Sequence, residues 1–312
     1  MSDSELKGSA VSVARDRGLV PNLVGRLSGA WVLGGALAGC FVWAFWYSFV
    51  DLWRVWQDNA DYSAGQLVPP TVLYMVVASR HRLKDVELRS SATGFLVFLV
   101  GLATNLVGAY YLYASLENLG IVISANGLVL GLLGWKAYKL LCYPMLFLFL
   151  MVPLPGRIHD AVMLPLQTMG AHISATILEM VGVPVERYGH VLEVGGRRIA
   201  VAEACSGLRM VLAFVIVAGV VAFVVRRPRW QKGAVLVSSI PIALSCNVLR
   251  VVATACLYAA GHERLAQGTL HDGMGIAMMP GALLLTLLVV KLLPRPAATA
   301  STAGSGRSSP GP

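Results

Sequence analysis

Ala204-Cys205-Ser206-Gly207-Leu208-Arg209 opens the stretch 204–225, ACSGLRMVLAFVIVAGVVAFVV. A short polar, strand-like segment ends here and a long apolar run begins, of about the 20 residues that a helix needs to cross a bilayer. The run makes this part of the chain a membrane helix. It also puts a thiol at the boundary, with an arginine one helical turn on, an environment that favours a nucleophilic thiolate over a packed thiol.

Working outward, the composition agrees. The chain has 312 residues, 56% of them hydrophobic and only 13% charged, with mean hydropathy +0.69. The apolar residues fall into separate long runs, which excludes a soluble domain and predicts an all-α polytopic membrane protein. Eight spanning helices are expected, at about 30–50, 66–79, 92–114, 118–135, 139–153, 206–225, 233–259 and 274–293. Residues 1–29 are too long and polar for a cleavable signal, so the first run is expected to stay as an anchor. With a cytoplasmic N-terminus, 17 of the 25 basic residues lie inside against 5 of the 16 acidic ones. The net +9 thus divides into +12 inside and −3 outside, as the positive-inside rule requires. The runs 66–79 and 139–153 are short, but removing either would put later basic loops on the wrong side. Insertion orientation accounts for the basic charge, and no nucleic-acid partner is expected.

Three parts follow: a cytoplasmic segment 1–29, a single membrane domain 30–293 with its catalytic part at about 183–293, and a Pro/Ser/Gly-rich tail 294–312, expected to be disordered and cytoplasmic. The longest stretch between spans, 156–204, lies outside in this topology. Polar Thr168, His172, Thr176 and Glu179 alternate at helical spacing with apolar Leu166, Met169, Ile173, Ile177 and Met180. This predicts an amphipathic helix over 158–181 lying in the outer interface, with a re-entrant helix as the alternative. Two β-prone runs, 188–194 and 197–202, flank Gly195-Gly196 and predict a tight hairpin whose second strand leads into Cys205.

Topology then collects a reactive set on the outer face. Cys205 starts the sixth helix. Arg250 lies about 25 Å up the seventh, in the outer part of a core ~30 Å thick, where a charge needs a partner or a wet cavity. His271 lies in the following connection. Thiolate, guanidinium and imidazole suffice for acyl transfer: attack on a carbonyl, stabilisation of the oxyanion and protonation of the leaving amine. Arg209, four residues after Cys205, can share its helix face; it could lower the thiol pKa, bind a substrate carboxylate or anchor at the interface. Asn247 can hold Arg250 structurally, Asp272 can orient the imidazole, and Glu203 either disfavours the thiolate or binds substrate. His172, His190 and His262 compete with His271 on these grounds. Cys40, Cys142 and Cys246 read as packed thiols, while Cys256, near the outer end of its helix, could pair with Cys205. No Cys or His pair has zinc-site spacing, so neither metal nor cofactor is expected.

The blocks Ala204-Cys205-Ser206-Gly207-Leu208-Arg209, Asn247-Val248-Leu249-Arg250 and His271-Asp272-Gly273-Met274-Gly275 resemble, in order and spacing, the signature blocks of the exosortase/archaeosortase family. The resemblance implies an integral cysteine transpeptidase of the cytoplasmic membrane. It implies Cys205 as nucleophile, Arg250 as oxyanion or thiolate stabiliser and His271 as acid/base. It also implies, as partners, exported proteins with a C-terminal sorting tag: a short motif, often Pro-Glu-Pro, then a membrane helix and a basic end. The acceptor of the acyl group, water or an amine, stays open. Two other classes fit the residues alone: a non-catalytic component of surface-polysaccharide assembly or export, and another membrane cysteine acyltransferase.

Overall fold

The structure is a computed structural model and describes residues 35–200, 207–225, 227–262 and 269–294. The chain divides into two compact units, Met1–Leu52 and Trp53–Pro312. The helix Gly35–Ala44 of the first bends by 69° into α1 (Trp46–Asp58), whose residues from Trp53 on belong to the second. The second unit holds the candidate site. Its chain runs through a 3-10 segment, Ala60–Leu67, into α2 (Val68–Ala78), where the Pro69-Pro70 pair sits in the first turn, whose N–H groups lack intrahelical partners anyway.

α3 (Ala92–Tyr110) and α4 (Ala114–Phe147) show why this is a membrane fold. α3 buries Gly94, Gly101, Asn105 and Gly108 and exposes Phe95, Leu96, Leu99 and Leu106, the reverse of a water-soluble helix. In lipid, large apolar side chains lose nothing by facing out, and helices associate through small residues that let backbones approach. A Cβ added at Gly94 would lie 2.0 Å from the Gly131 nitrogen, at Gly101 2.4 Å from that of Ser124, and at Gly108 2.3 Å from that of Glu117. From the other side, Gly120 meets Asn105 and Gly127 meets Phe98 equally closely. The glycines recur every seven residues on each helix, so two full turns separate successive contacts and the antiparallel pair stays in register. Asn105 Nδ2 donates to the Glu117 carbonyl across the same seam at 2.9 Å.

α4 contains a reversal. Gly134 has φ 79° and ψ 174°, and a Cβ there would lie 1.9 Å from the Arg89 carbonyl oxygen. Asn126 Nδ2 lies 3.5 Å from the Met145 carbonyl oxygen, and the Tyr138 hydroxyl donates to Asn126 Oδ1 at 2.8 Å. In a straight helix residues 126 and 145 would stand about 28 Å apart. The chain therefore folds back at Gly134 into the two arms expected at 118–135 and 139–153, with Lys136 and Lys139 in the second arm instead of a loop.

Among the described residues, four helices are long and apolar enough to cross a membrane, namely α3, Ala114–Met151, α5 (Gly156–Met180) and α7 (Arg229–Ala259), or five if the bent pair before Asp58 is one crossing. That differs from the eight expected. α2 has only 11 residues, and the described apolar parts of α6 (Gly207–Val224) and α8 (Thr269–Leu292) are Arg209–Val224 and Met278–Leu292.

The segment 158–181 forms the helix expected there, within α5, and its packing is new: α5 stands beside α7 and runs in the same direction. Gly170 approaches Leu244 and Asn247, Ile173 and Ile177 share a groove with Val248 and Val252, and Ala171, Ala175 and Leu178 share a core with Val251 and Ala255. Contacts thus advance together along both helices. The hydroxyls of its polar face are satisfied within the helix, Thr168 on the Leu164 carbonyl and Thr176 on that of His172. Small residues at 170, 171, 174 and 175 then let α7 approach.

The hairpin is present, as part of a three-stranded antiparallel sheet: β1 (Val185–Tyr188), β2 (Val191–Val194) and β3 (Arg197–Ala200). Val194 pairs with Arg197 around Gly195-Gly196, whose φ values of 58° and 74° suit a type I′ turn. β1 is additional; the expected first run is broken at Gly189, with φ 64°, and His190, which turn the chain between β1 and β2. Leu192 and Val194 point inward and complete the core over the ends of α5 and α7.

Candidate active site

α6, α7 and α8 form an antiparallel set whose register decides what meets at its far end. At the near end, Gln231 Nε2 donates to the Pro294 carbonyl at 2.8 Å, and Arg227 reaches the Pro294 and Val290 carbonyls. Ala218 and Ala222 of α6 pack on Val235 of α7, with Val289 and Val290 of α8 against them. Further along, Val211 shares a small pocket with Ala243, Leu244 and Asn247 of α7 and with Met163, Leu166 and Gln167 of α5. Asn247 thus lies where α5, α6 and α7 meet, and Arg250 follows one turn on, toward the end where α6 begins.

This end of α7 is unusually polar for its burial. Asn247, Arg250 and Thr254 are 6%, 9% and 4% exposed, and Ser174 on α5 is fully buried. Spacings of three and four residues put the three α7 side chains on one helix face. Retaining a guanidinium among apolar helices is costly unless its charge is used or compensated. The Asn247 Oδ1, Ser174 Oγ and Thr254 Oγ1 atoms are buried without a hydrogen-bond partner among the described residues. Such atoms are rare in folded proteins, where a buried polar group is normally met by protein or by ordered water.

His271 and Asp272 are in the first turn of α8, and not in a connecting loop as expected. Twenty-three residues of helix, about 35 Å, separate Gln231 from Thr254, and the same number separate Pro294 from His271. Since Gln231 and Pro294 touch, the backbone of His271 comes to about the height of Thr254, one turn beyond Arg250. The side chains of His271 and Asp272 lie outside the described residues, as do Glu203 and Cys205 entirely. Arg209 is described: it is exposed, and its Nε donates to the Ala60 carbonyl at 2.8 Å.

The competing histidines are dispersed. His172 is on the face of α5 turned from α7, beside Arg187 of β1; His190 is in the β1–β2 turn; His262 follows α7. Cys40, Cys142, Cys246 and Cys256 are free thiols, and Cys256 packs against the core shared by α5, α7 and β2.

One ionisable group escaped the sequence reading. His159, in the first turn of α5, has Nε2 3.5 Å from Asp61 Oδ2 and Nδ1 3.1 Å from Asp160 Oδ1. The Tyr62 ring stacks at a tilt with its centroid 5.8 Å from the imidazole, and the Tyr62 hydroxyl donates to the Leu154 carbonyl at 3.2 Å. Burial, with the Asp61 carboxylate beside it, pushes the Tyr62 phenol above its usual value. The only trace in the sequence is a polar stretch, Asp58-Asn59-Ala60-Asp61-Tyr62, ahead of the double proline.

Comparison with known families decides the class. The model of the transmembrane exosortase family (Exosortase_EpsH) matches residues 56–288. The chain belongs to this family. The exosortase match takes in Asp61, His159, Cys205, Arg209, Asn247, Arg250 and His271, and leaves out the N-terminal segment and the tail. No curated protein and no solved structure gives a significant match.

Proposed function

We propose that this exosortase-family chain is a membrane-embedded cysteine protease or transpeptidase, which cuts the C-terminal sorting tag from exported proteins at the outer face of the cytoplasmic membrane. The observation that carries the reading is Arg250, buried on α7 one turn beyond Asn247, which lies where α5, α6 and α7 meet, at the end of α7 toward which α6 begins. Cys205 precedes α6 by two residues in the chain, and His271 belongs to the first turn of α8. In this reading the Cys205 thiolate attacks the scissile carbonyl and the Arg250 guanidinium stabilises the oxyanion. His271 protonates the departing amine, and the thioester passes to water or to an acceptor amine. Asn247 would hold the substrate backbone or the guanidinium, and Asp272 the imidazole. Eight crossings with both termini cytoplasmic belong to the same proposal; the union of the α7 start with the α8 end, both on the predicted inner side, supports it.

The test is co-expression with exported proteins that end in a motif, an apolar helix and a basic cluster, followed by mass spectrometry of the new C-terminus. One discrete new terminus, or the same terminus joined to an amine, is the expected result. If every candidate tag stays intact, the proposal fails. Arg250→Lys is expected to lower turnover about 100-fold or more, because a point charge cannot replace the guanidinium fork at a developing oxyanion. Rates close to the parent's would reduce Arg250 to a structural charge.

A further inference from the structure

β1 carries a charge where its sheet needs an apolar side chain. Directly paired residues point to the same face of a sheet, so Val185 shares a face with Val194, and Arg187 shares it with Leu192. Leu192 and Val194 belong to the core over α5 and α7, and Val185 packs against it. Arg187 therefore lies on the helix side of the sheet, on its edge strand, and reaches past the core to the face of α5 turned from α7. Glu186 and Glu193 pair on the opposite face of the sheet, where Glu186 accepts from the Tyr188 hydroxyl at 2.6 Å. They leave the charge of Arg187 uncompensated.

Arg187 and His172 line an open cleft of about 580 Å³ together with Leu164, Pro165, Thr168 and Met169. From Leu164 to His172 the lining of α5 extends about 12 Å, largely apolar at first and basic at the end nearer the sheet. The Thr168 hydroxyl is already spent on the Leu164 carbonyl. Arg187 Nη1 donates to the Gly189 carbonyl at 3.2 Å, which steadies the guanidinium, and other N–H groups of the fork remain to bind. His172 carries a ring N–H in either protonation state. We propose that this cleft binds an anionic phospholipid, with the phosphate on Arg187 and His172 and the start of an acyl chain along Leu164, Pro165 and Met169. Two basic groups with no carboxylate between them select an anion, and the guanidinium fork matches a phosphate. The exposed apolar lane beside them selects a phosphate that carries a hydrocarbon chain, because a bare ion would leave Leu164 and Met169 uncovered. A chain embedded in a bilayer meets such molecules at every turn, and basic pockets on membrane proteins take their head groups. The site is separate from Asn247 and Arg250, which α5 approaches with its other face.

The experiment titrates the full-length protein in non-ionic detergent with short-chain phosphatidylglycerol and counts bound lipid by native mass spectrometry. Saturable binding of one lipid is expected. Arg187→Gln and His172→Gln should each raise its Kd about tenfold, the loss of one hydrogen bond to a charged group. His172→Gln alters an exposed helix residue and leaves the sheet untouched, so its effect decides the matter even if the Arg187 variant fails to fold. Arg157→Gln, exposed in the first turn of α5 and outside the cleft, is expected to keep Kd within about twofold of the parent's. Phosphatidylcholine, whose ammonium group opposes the basic pair, should bind about tenfold more weakly. Equal affinity for the two lipids would overturn the proposal, since it means lipid contact without recognition of charge. Equal weakening by Arg157→Gln would overturn it as well, by reducing the effect to general surface charge. Displacement of phosphatidylglycerol by inorganic phosphate at equal concentration would make the cleft a site for the free anion and end the lipid assignment.

Discussion

A Cys205→Ala chain, co-expressed with a tagged export substrate, is expected to reach the membrane at parental levels and leave the substrate at full length. Removing the nucleophile from an acyl-transfer site costs about 10⁴–10⁶ in turnover, because the surrounding donors have no covalent intermediate to stabilise. No neighbour can substitute. Ser206 is adjacent, but the G-x-S-x-G elbow that would expose and activate it is absent from the chain. The measurement is the ratio of full-length to shortened substrate, with membrane-fraction abundance of the variant as the control for insertion. Continued processing at an unchanged cut would remove Cys205 from the chemistry and leave the buried guanidinium to a different mechanism.

A large effect on stability is expected from Gly127→Ala. Its new Cβ would stand 2.2 Å from the Phe98 nitrogen and 2.6 Å from its Cα, both backbone atoms that cannot rotate away. The α3–α4 pair would have to part, and because the same seam carries Gly94, Gly101, Gly108 and Gly120, separation at one contact loosens the others. Overpacking of this kind costs roughly 1–3 kcal/mol at one site, and the shared seam puts this substitution at the upper end. Gly131→Ala supplies a control in the same interface: its Cβ would meet Gly94 and Phe95 at 3.4 Å, a tight but tolerable contact. Alanine's better helix propensity offsets it. The midpoint of thermal unfolding in detergent should fall clearly for Gly127→Ala and stay near the parent's for Gly131→Ala. Equal shifts would mean that the seam is not held by backbone approach.

Several features were legible because they depend on neighbours in the chain. The Gly195-Gly196 hairpin is an example, since two adjacent residues with positive φ define the turn wherever it occurs. The pair of arms around Gly134 was legible as two apolar runs, although their junction lies at a single glycine ahead of Lys136. α5 was legible as a helix, but its packing along α7 was not: its threonines count as a polar face in any periodicity argument, and only the structure shows them bonded to the helix's own carbonyls. His159 was missed because a single histidine in an apolar helix gives no signal without its partner, and Asp61 reaches it from an element far back in the chain.

By itself, then, the sequence determined that this is a mostly helical membrane protein and where its hairpin turn lies; hydropathy and turn chemistry are properties of short segments. Only the tertiary structure decided that α5 stands along α7, that Asn247 is buried where α5, α6 and α7 meet with Arg250 buried one turn on, and that Arg209 is spent on the Ala60 carbonyl. Those outcomes depend on which helix faces can approach one another, and approach is set by small residues and hydrogen bonds between segments distant in the chain.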